Sequence, residues 1–133
     1  MSDALTHARQ LLARAHDDAY VIARLADEPG APAWVLGFHA QQAVEKTLKA
    51  VLTLRGQVYP RTHNLVLLAQ VLEDAGLLLP QSPDALATLV PYGVALRYDA
   101  LDEDEPRLDR GALRRQVDWW LAWAQRFVDG AGA

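Results

Sequence analysis

The sequence predicts an all-α fold, an antiparallel up-and-down bundle of four to five helices. Three observations carry this expectation. Apolar residues recur at helical spacing through most of the chain. No segment sustains period-two alternation with β-branched enrichment, and Val58-Tyr59 is too short to count as a strand. Proline and glycine clusters divide the chain into helix-length pieces with short connections, which favour antiparallel neighbours.

The first helix is expected over residues 4–26. Leu5, Ala8, Leu12, Ala15, Ala19, Ile22, Ala23 and Ala26 recur near helical spacing, and no Gly or Pro interrupts them. Glu28-Pro29-Gly30-Ala31-Pro32 then breaks the pattern. The second helix is expected over residues 33–55. Pro32 fits its first turn, where a missing N–H costs nothing, and Gly56 is its left-handed cap. This segment is apolar over most of its circumference, with Trp34, Leu36, Phe38, Val44, Leu48, Val51 and Leu52 among its residues. Such a helix belongs at the centre of a bundle or under a partner chain.

A third helix is expected over residues 62–75. Thr62 or Asn64 supplies its N-cap oxygen, Leu65, Leu68, Ala69 and Leu72 form its stripe, and Gly76 ends it. Ser82-Pro83-Asp84 opens a fourth, with Ser82 as cap and a stripe of Leu86, Leu89, Val90, Gly93, Val94 and Arg97. Pro91 lies inside that stripe and predicts a kink or a split. Residues 99–109, with Asp99, Asp102, Glu103, Asp104, Glu105 and Asp109, read as a solvated acidic loop. The last helix is expected over residues 109–128. Leu113, Val117, Trp120, Ala124 and Phe127 share one face, with Trp119 and Trp123 beside them as core or dimer contacts. The tail Gly130-Ala131-Gly132-Ala133 is expected to fray.

Composition bounds the function. The 133 residues suffice for one domain, and the expected organisation is a single domain over 1–133. At 51% hydrophobic the chain can bury a core and is no disordered regulator. The formal net charge of −4 gives no global attraction to phosphate, so any polyanion site is a local patch. The absence of cysteine excludes disulfides, thiolate metal sites and cysteine nucleophiles. No apolar run is long enough to span a membrane and Met1-Ser2-Asp3 opens no signal peptide, so the cytoplasm is the expected location.

Chemistry-bearing residues gather in two places. On the second helix Gln42, Lys46 and Lys49 share a face. Gln41 and Glu45 share the neighbouring one, with Glu45 four residues from Lys49. The second place is Pro60-Arg61-Thr62-His63-Asn64-Leu65, at a helix N-terminus whose free N–H groups favour anions. From Lys46 to Leu72 there is no Asp or Glu, while Lys46, Lys49, Arg55, Arg61 and His63 all fall there. An acid-free basic arc in an acidic protein is a candidate polyanion site. Each residue also has a structural use. Glu45 and Lys46 can tie helices together through Arg97 and Asp17 or Asp18, because buried charge must be paired. Gln41 and Gln42 can be satisfied interhelical amides, and His63 can cap a helix or bond a carboxylate.

The string Phe38-His39-Ala40-Gln41-Gln42-Ala43-Val44-Glu45-Lys46-Thr47-Leu48-Lys49-Ala50 closely resembles the signature helix of HEPN domains (higher eukaryotes and prokaryotes nucleotide-binding). Pro60-Arg61-Thr62-His63-Asn64-Leu65 resembles the family's Arg-Thr-His-Asp-Leu element, Arg97-Tyr98 its late Arg-Tyr pair, and Asp17 or Asp18 its first-helix acid. The resemblance covers almost the whole chain in the right order. It implies an all-α homodimer and a role as nuclease toxin, nucleotide binder or assembly module, often beside a minimal nucleotidyltransferase. The ribonuclease members use an Arg-x(4-6)-His motif. Arg97 matches its Arg, but Asp102, Glu103 and Asp104 stand where the His belongs.

The resulting expectation is a nucleotide- or RNA-binding module, paired with a minimal nucleotidyltransferase in a toxin-antitoxin-like system and working without the usual ribonuclease motif. Its candidate ligand residues are Gln42, Glu45, Lys46, Lys49, Arg61, His63, Arg97 and Tyr98, with no cofactor and no metal. Lys46, Lys49, Arg61, His63 and Arg97 would hold phosphate while Glu45 orients the cations. One alternative is a metal-independent ribonuclease toxin with Arg97 and His63 as catalytic candidates. The other is a purely structural assembly module.

Overall fold

The computed structural model describes residues 3–93 and 108–132. These residues form four α-helices and two 3-10 turns, with no strand among them: α1 Asp3–Leu25, α2 Ala33–Leu54, α3 Leu65–Asp74, the turns Pro83–Leu86 and Val90–Gly93, and α4 Arg110–Gly132.

α1 buries Leu5, Ala8, Leu12, Ala15, Asp18 and Ile22, one helical stripe in which a carboxylate takes a core position between Ala15 and Ile22. α2 is the central element. It packs against α1, α3, α4 and the second 3-10 turn, and it buries residues from Leu36 to Leu52 around most of its circumference. Its apolar composition therefore serves the bundle itself. α1 and α4 run antiparallel, since His16 meets Gln125 while Gly132 lies against Arg9. Arg110 closes the opposite end, donating to the carbonyls of Glu28 and Ala31 at 2.9 and 2.6 Å.

Both expected glycine caps are present. Gly56 has φ +64° and Gly76 φ +92°, and the following amides return to Leu52 and Leu72 carbonyls at 3.0 and 3.2 Å. That pattern satisfies carbonyls the helix would leave open. Of the two cap candidates for α3, Asn64 is the cap. Its side-chain oxygen accepts from the amides of Val66 and Leu67, so the helix begins at Leu65 and not at Thr62. Thr62 instead accepts from the Asn64 amide at 3.0 Å.

The expected fourth α-helix is replaced, as far as Gly93, by the two 3-10 turns, and Ser82 makes no side-chain cap bond. Pro91, where a kink or a split was expected, accounts for the break at Ala87. It has no N–H to return to Ala87, and its ring excludes the α-helical position of that carbonyl. The Ala87 carbonyl accepts from Val90 at 3.3 Å instead, and the run proceeds by bonds three residues apart. Leu86 and Leu89, three apart, stay buried. Val94, Arg97, Tyr98 and most of the expected acidic loop lie outside the described residues. Asp109 lies inside them and caps α4, accepting from the Ala112 amide at 2.9 Å.

α4 continues past Val128 to Gly132, where fraying was expected. The Arg9 guanidinium beside Gly132 gives that end a cation, which suits the negative end of a helix. Trp120 and Trp123 are buried, stacked edge to face at 5.4 Å, and their ring N–H groups donate to Gln81 Oε1 and the Leu78 carbonyl. They are core residues, whereas Trp119 is half exposed. Among the described residues no helix is long and apolar enough to cross a membrane.

Candidate functional site

The buried polar side chains of the described residues are Asp18, Gln41, Glu45 and Thr47. Thr47 bonds back to the Ala43 carbonyl within α2. The other three organise the candidate site. A buried carboxylate is tolerable only when paired and hydrogen-bonded, and both carboxylates meet that demand in the same way. Each bridges a histidine and a lysine.

Asp18 reaches from α1 to α2. Its Oδ1 lies 2.8 Å from His39 Nδ1, and its Oδ2 accepts from Lys46 Nζ at 2.6 Å. His39 and Lys46 are two turns apart on one face of α2, so a single carboxylate spans both. The Asp18 partner considered for Lys46 is therefore present, and Lys46 spends its charge on it.

Glu45 reaches from α2 to the loop before α3. Its Oε1 lies 2.8 Å from His63 Nδ1 and accepts from Gln41 Nε2 at 3.0 Å, while its Oε2 accepts from Lys49 Nζ at 3.2 Å. Gln41 also donates to the His63 carbonyl at 3.3 Å and accepts from Gln42 Nε2 at 2.7 Å. Glu45, Gln41, Gln42, Lys49 and His63 thus form one connected network. No buried side-chain nitrogen or oxygen among the described residues lacks a partner.

A carboxylate has no hydrogen to donate, so a neutral imidazole facing it carries its hydrogen on Nδ1. In their neutral form both His39 and His63 would be held in that tautomer, with Nε2 left as an acceptor. The His63 side chain is 59% exposed and the His39 side chain 26%. With neutral imidazoles the two carboxylates cancel the two ammonium groups. The uncancelled charge of the arc lies at Arg55 and Arg61, both exposed and without an ion pair among the described residues.

Two glycines bring the chain to this site immediately before Val94. Gly37 on α2 leaves the space that the Tyr92 ring fills, and a Cβ on Gly93 would stand 2.8 Å from the Gln41 amide. The second 3-10 turn therefore lies directly on the buried network. Arg97 and Tyr98 follow it in sequence but lie outside the described residues, as does any Glu45–Arg97 pair.

Of the sequence candidates, Gln42, Glu45, Lys49 and His63 are brought together. Lys46 joins the neighbouring Asp18 network, and Arg61 stands two residues from His63 on the same loop. His39 and Gln41 were not among the candidates, and Asp18 was not separated from Asp17. Spacing held a usable signal for Asp18, which falls three residues after Ala15 and four before Ile22 on the buried stripe, while Asp17 does not. No group of three or more His, Asp or Glu among the described residues is placed to hold a metal ion.

The family model for the HEPN domain matches residues 8–130. No curated protein and no solved structure matches the chain.

Proposed function

The chain belongs to the HEPN domain family, and on that premise we propose that it is a nucleotide- or RNA-binding module whose ligand lies along the α2–α3 edge. One observation supports this most. The exposed Arg55, Arg61 and His63 come from a stretch without a carboxylate of its own, and the nearby Glu45 is already occupied by Lys49, Gln41 and His63. Within this stretch the guanidinium groups have no acid of their own segment to compete with a polyanion. Lys49 and Lys46 contribute donors while their charges are shared with Glu45 and Asp18. Gln42, Arg97 and Tyr98 complete the proposed contact set.

The module is proposed to act as a homodimer with a minimal nucleotidyltransferase as partner, in a toxin-antitoxin-like system. The family resemblance supports the pairing, and the exposed aromatic rings of Trp34 and Trp119 offer surface for association. Equilibrium binding of a short single-stranded RNA tests the ligand reading. Affinity should fall with salt, and the Arg55→Ala/Arg61→Ala double variant should show a shallower salt slope, by about 0.7 per lost phosphate contact. Equal slopes in wild type and variant would reject this edge as the site.

A second reading is a metal-independent ribonuclease with His63 as base and Arg97 as phosphate clamp. The orientation of His63 favours it, because a carboxylate-held imidazole presents Nε2 to take a proton. RNA cleavage that is lost in a folded His63→Ala protein would support it.

A further inference from the structure

We infer that His63 recognises the ribose 2′-hydroxyl of a bound RNA segment, with Glu45 and Gln41 as its positioning residues, so that the site takes RNA in preference to DNA. This rests on the RNA-binding reading above and adds the ligand group that is read.

The histidine is held at two points from one buried side. Glu45 Oε1 lies 2.8 Å from His63 Nδ1, and Gln41 Nε2 donates to the His63 carbonyl at 3.3 Å. Gln41 is itself fully buried, bonded to Glu45 and pressed by Gly93, so neither anchor is a loose surface side chain. The ring nevertheless stays 59% exposed. Such an arrangement fixes a side chain without hiding it.

When the ring is neutral, the carboxylate decides what its exposed edge can bind. With its hydrogen on Nδ1, the neutral imidazole offers only a lone pair at Nε2. A phosphate oxygen also offers lone pairs and finds no donor there. A hydroxyl has a hydrogen to give. In a nucleic-acid backbone the 2′-hydroxyl is the group that RNA has and DNA lacks. Donors on the bases are common to both polymers when the base sequence is the same. Arg61 and Arg55, on the same acid-free stretch, are left to hold the phosphates. A hydroxyl contact thus replaces the phosphate contact expected for His63.

The test is binding, by fluorescence anisotropy, of one base sequence in three single-stranded forms with uracil throughout: ribose, 2′-deoxyribose and 2′-fluororibose. The fluoro form keeps an RNA-like sugar but has no hydrogen to donate. Wild-type protein should bind the ribose form about threefold to tenfold more tightly than either other form, the size of one hydrogen bond. His63→Ala should bind all three alike. Glu45→Gln, which has nearly the same shape but can donate to Nδ1, should narrow the preference while circular dichroism and Tm show an intact fold. A purely structural histidine would change stability and leave the ratio alone.

Equal binding of the ribose and fluoro forms by wild type would overturn the inference without any variant and leave the RNA-binding reading standing. A preference that survives His63→Ala would also overturn it. A preference unchanged in Glu45→Gln would remove Glu45 from the positioning role. Failure of all three forms to bind would reject the RNA-binding reading itself, and this inference with it.

Discussion

Asp18 and Glu45 show how the same problem is solved twice along one helix. Each is a carboxylate at a nearly buried position, and each is neutralised by a lysine and oriented against a histidine. The pairs differ in what they join. Asp18 links α1 to α2, whereas Glu45 links α2 to the loop that carries His63. Removing either carboxylate strands its partners. Glu45→Ala leaves the fully buried Gln41 amide short of an acceptor and should destabilise the protein by about 1–3 kcal/mol in urea unfolding. Asp18→Ala should cost a similar amount, measured the same way, because Lys46 and His39 then share a half-buried site without a counter-charge. His63→Ala should barely move the unfolding midpoint, since its ring is mostly exposed. These pairings are separated by 21, 28 and 18 residues, so helical spacing shows none of them, although a Lys46 pairing with Asp17 or Asp18 was among the sequence expectations. The i, i+4 bond from Lys49 to Glu45 was legible because helical spacing alone brings the two together.

At the scale of elements, the long helices were readable because burial imposes a 3.6-residue repeat on their sequences. α1, α2 and α4 fall close to where that repeat places them. The segment from Ser82 to Gly93 reads as an α-helix kinked or split at Pro91. The split is present, but both pieces are 3-10. Leu86 and Leu89 fit both helix types, and a three-residue spacing cannot distinguish them. Docking of that segment on α2 depends on missing side chains. Gly37→Ala would drive a methyl into the Tyr92 ring and should cost about 1–3 kcal/mol. Gly30→Ala meets nothing within 4 Å and should stay within about 0.5 kcal/mol of wild type. Gly56→Ala also meets open space, yet its φ of +64° should cost about 1–2 kcal/mol through backbone strain alone. Thermal melts of the three variants separate crowding from strain.

Across the whole molecule, a net charge of −4 coexists with a carboxylate-free basic stretch because the acids and bases are sorted in sequence. The carboxylate-free stretch from Lys46 to Leu72 was visible at once. What the sequence could not tell is how that charge is spent. Two of its lysines are committed to buried carboxylates, and the exposed arginines are left to face solvent. Several residues that carry the family resemblance, among them His39, Gln41, Gln42, Glu45, Lys46, Lys49 and His63, build the two networks. Assembly belongs to this scale too. A homodimer would have twice the 14.7 kDa chain mass in light scattering, and a monomer would reject the dimer proposal. The central claim is that the α2–α3 edge binds a nucleotide or RNA segment. Titrating labelled single-stranded RNA at rising salt, with wild type and Arg55→Ala/Arg61→Ala in parallel, tests it most directly. The account predicts salt-sensitive binding that weakens and loses slope in the double variant while the fold persists. Absence of binding by folded wild type, or identical curves for the two proteins, would contradict it.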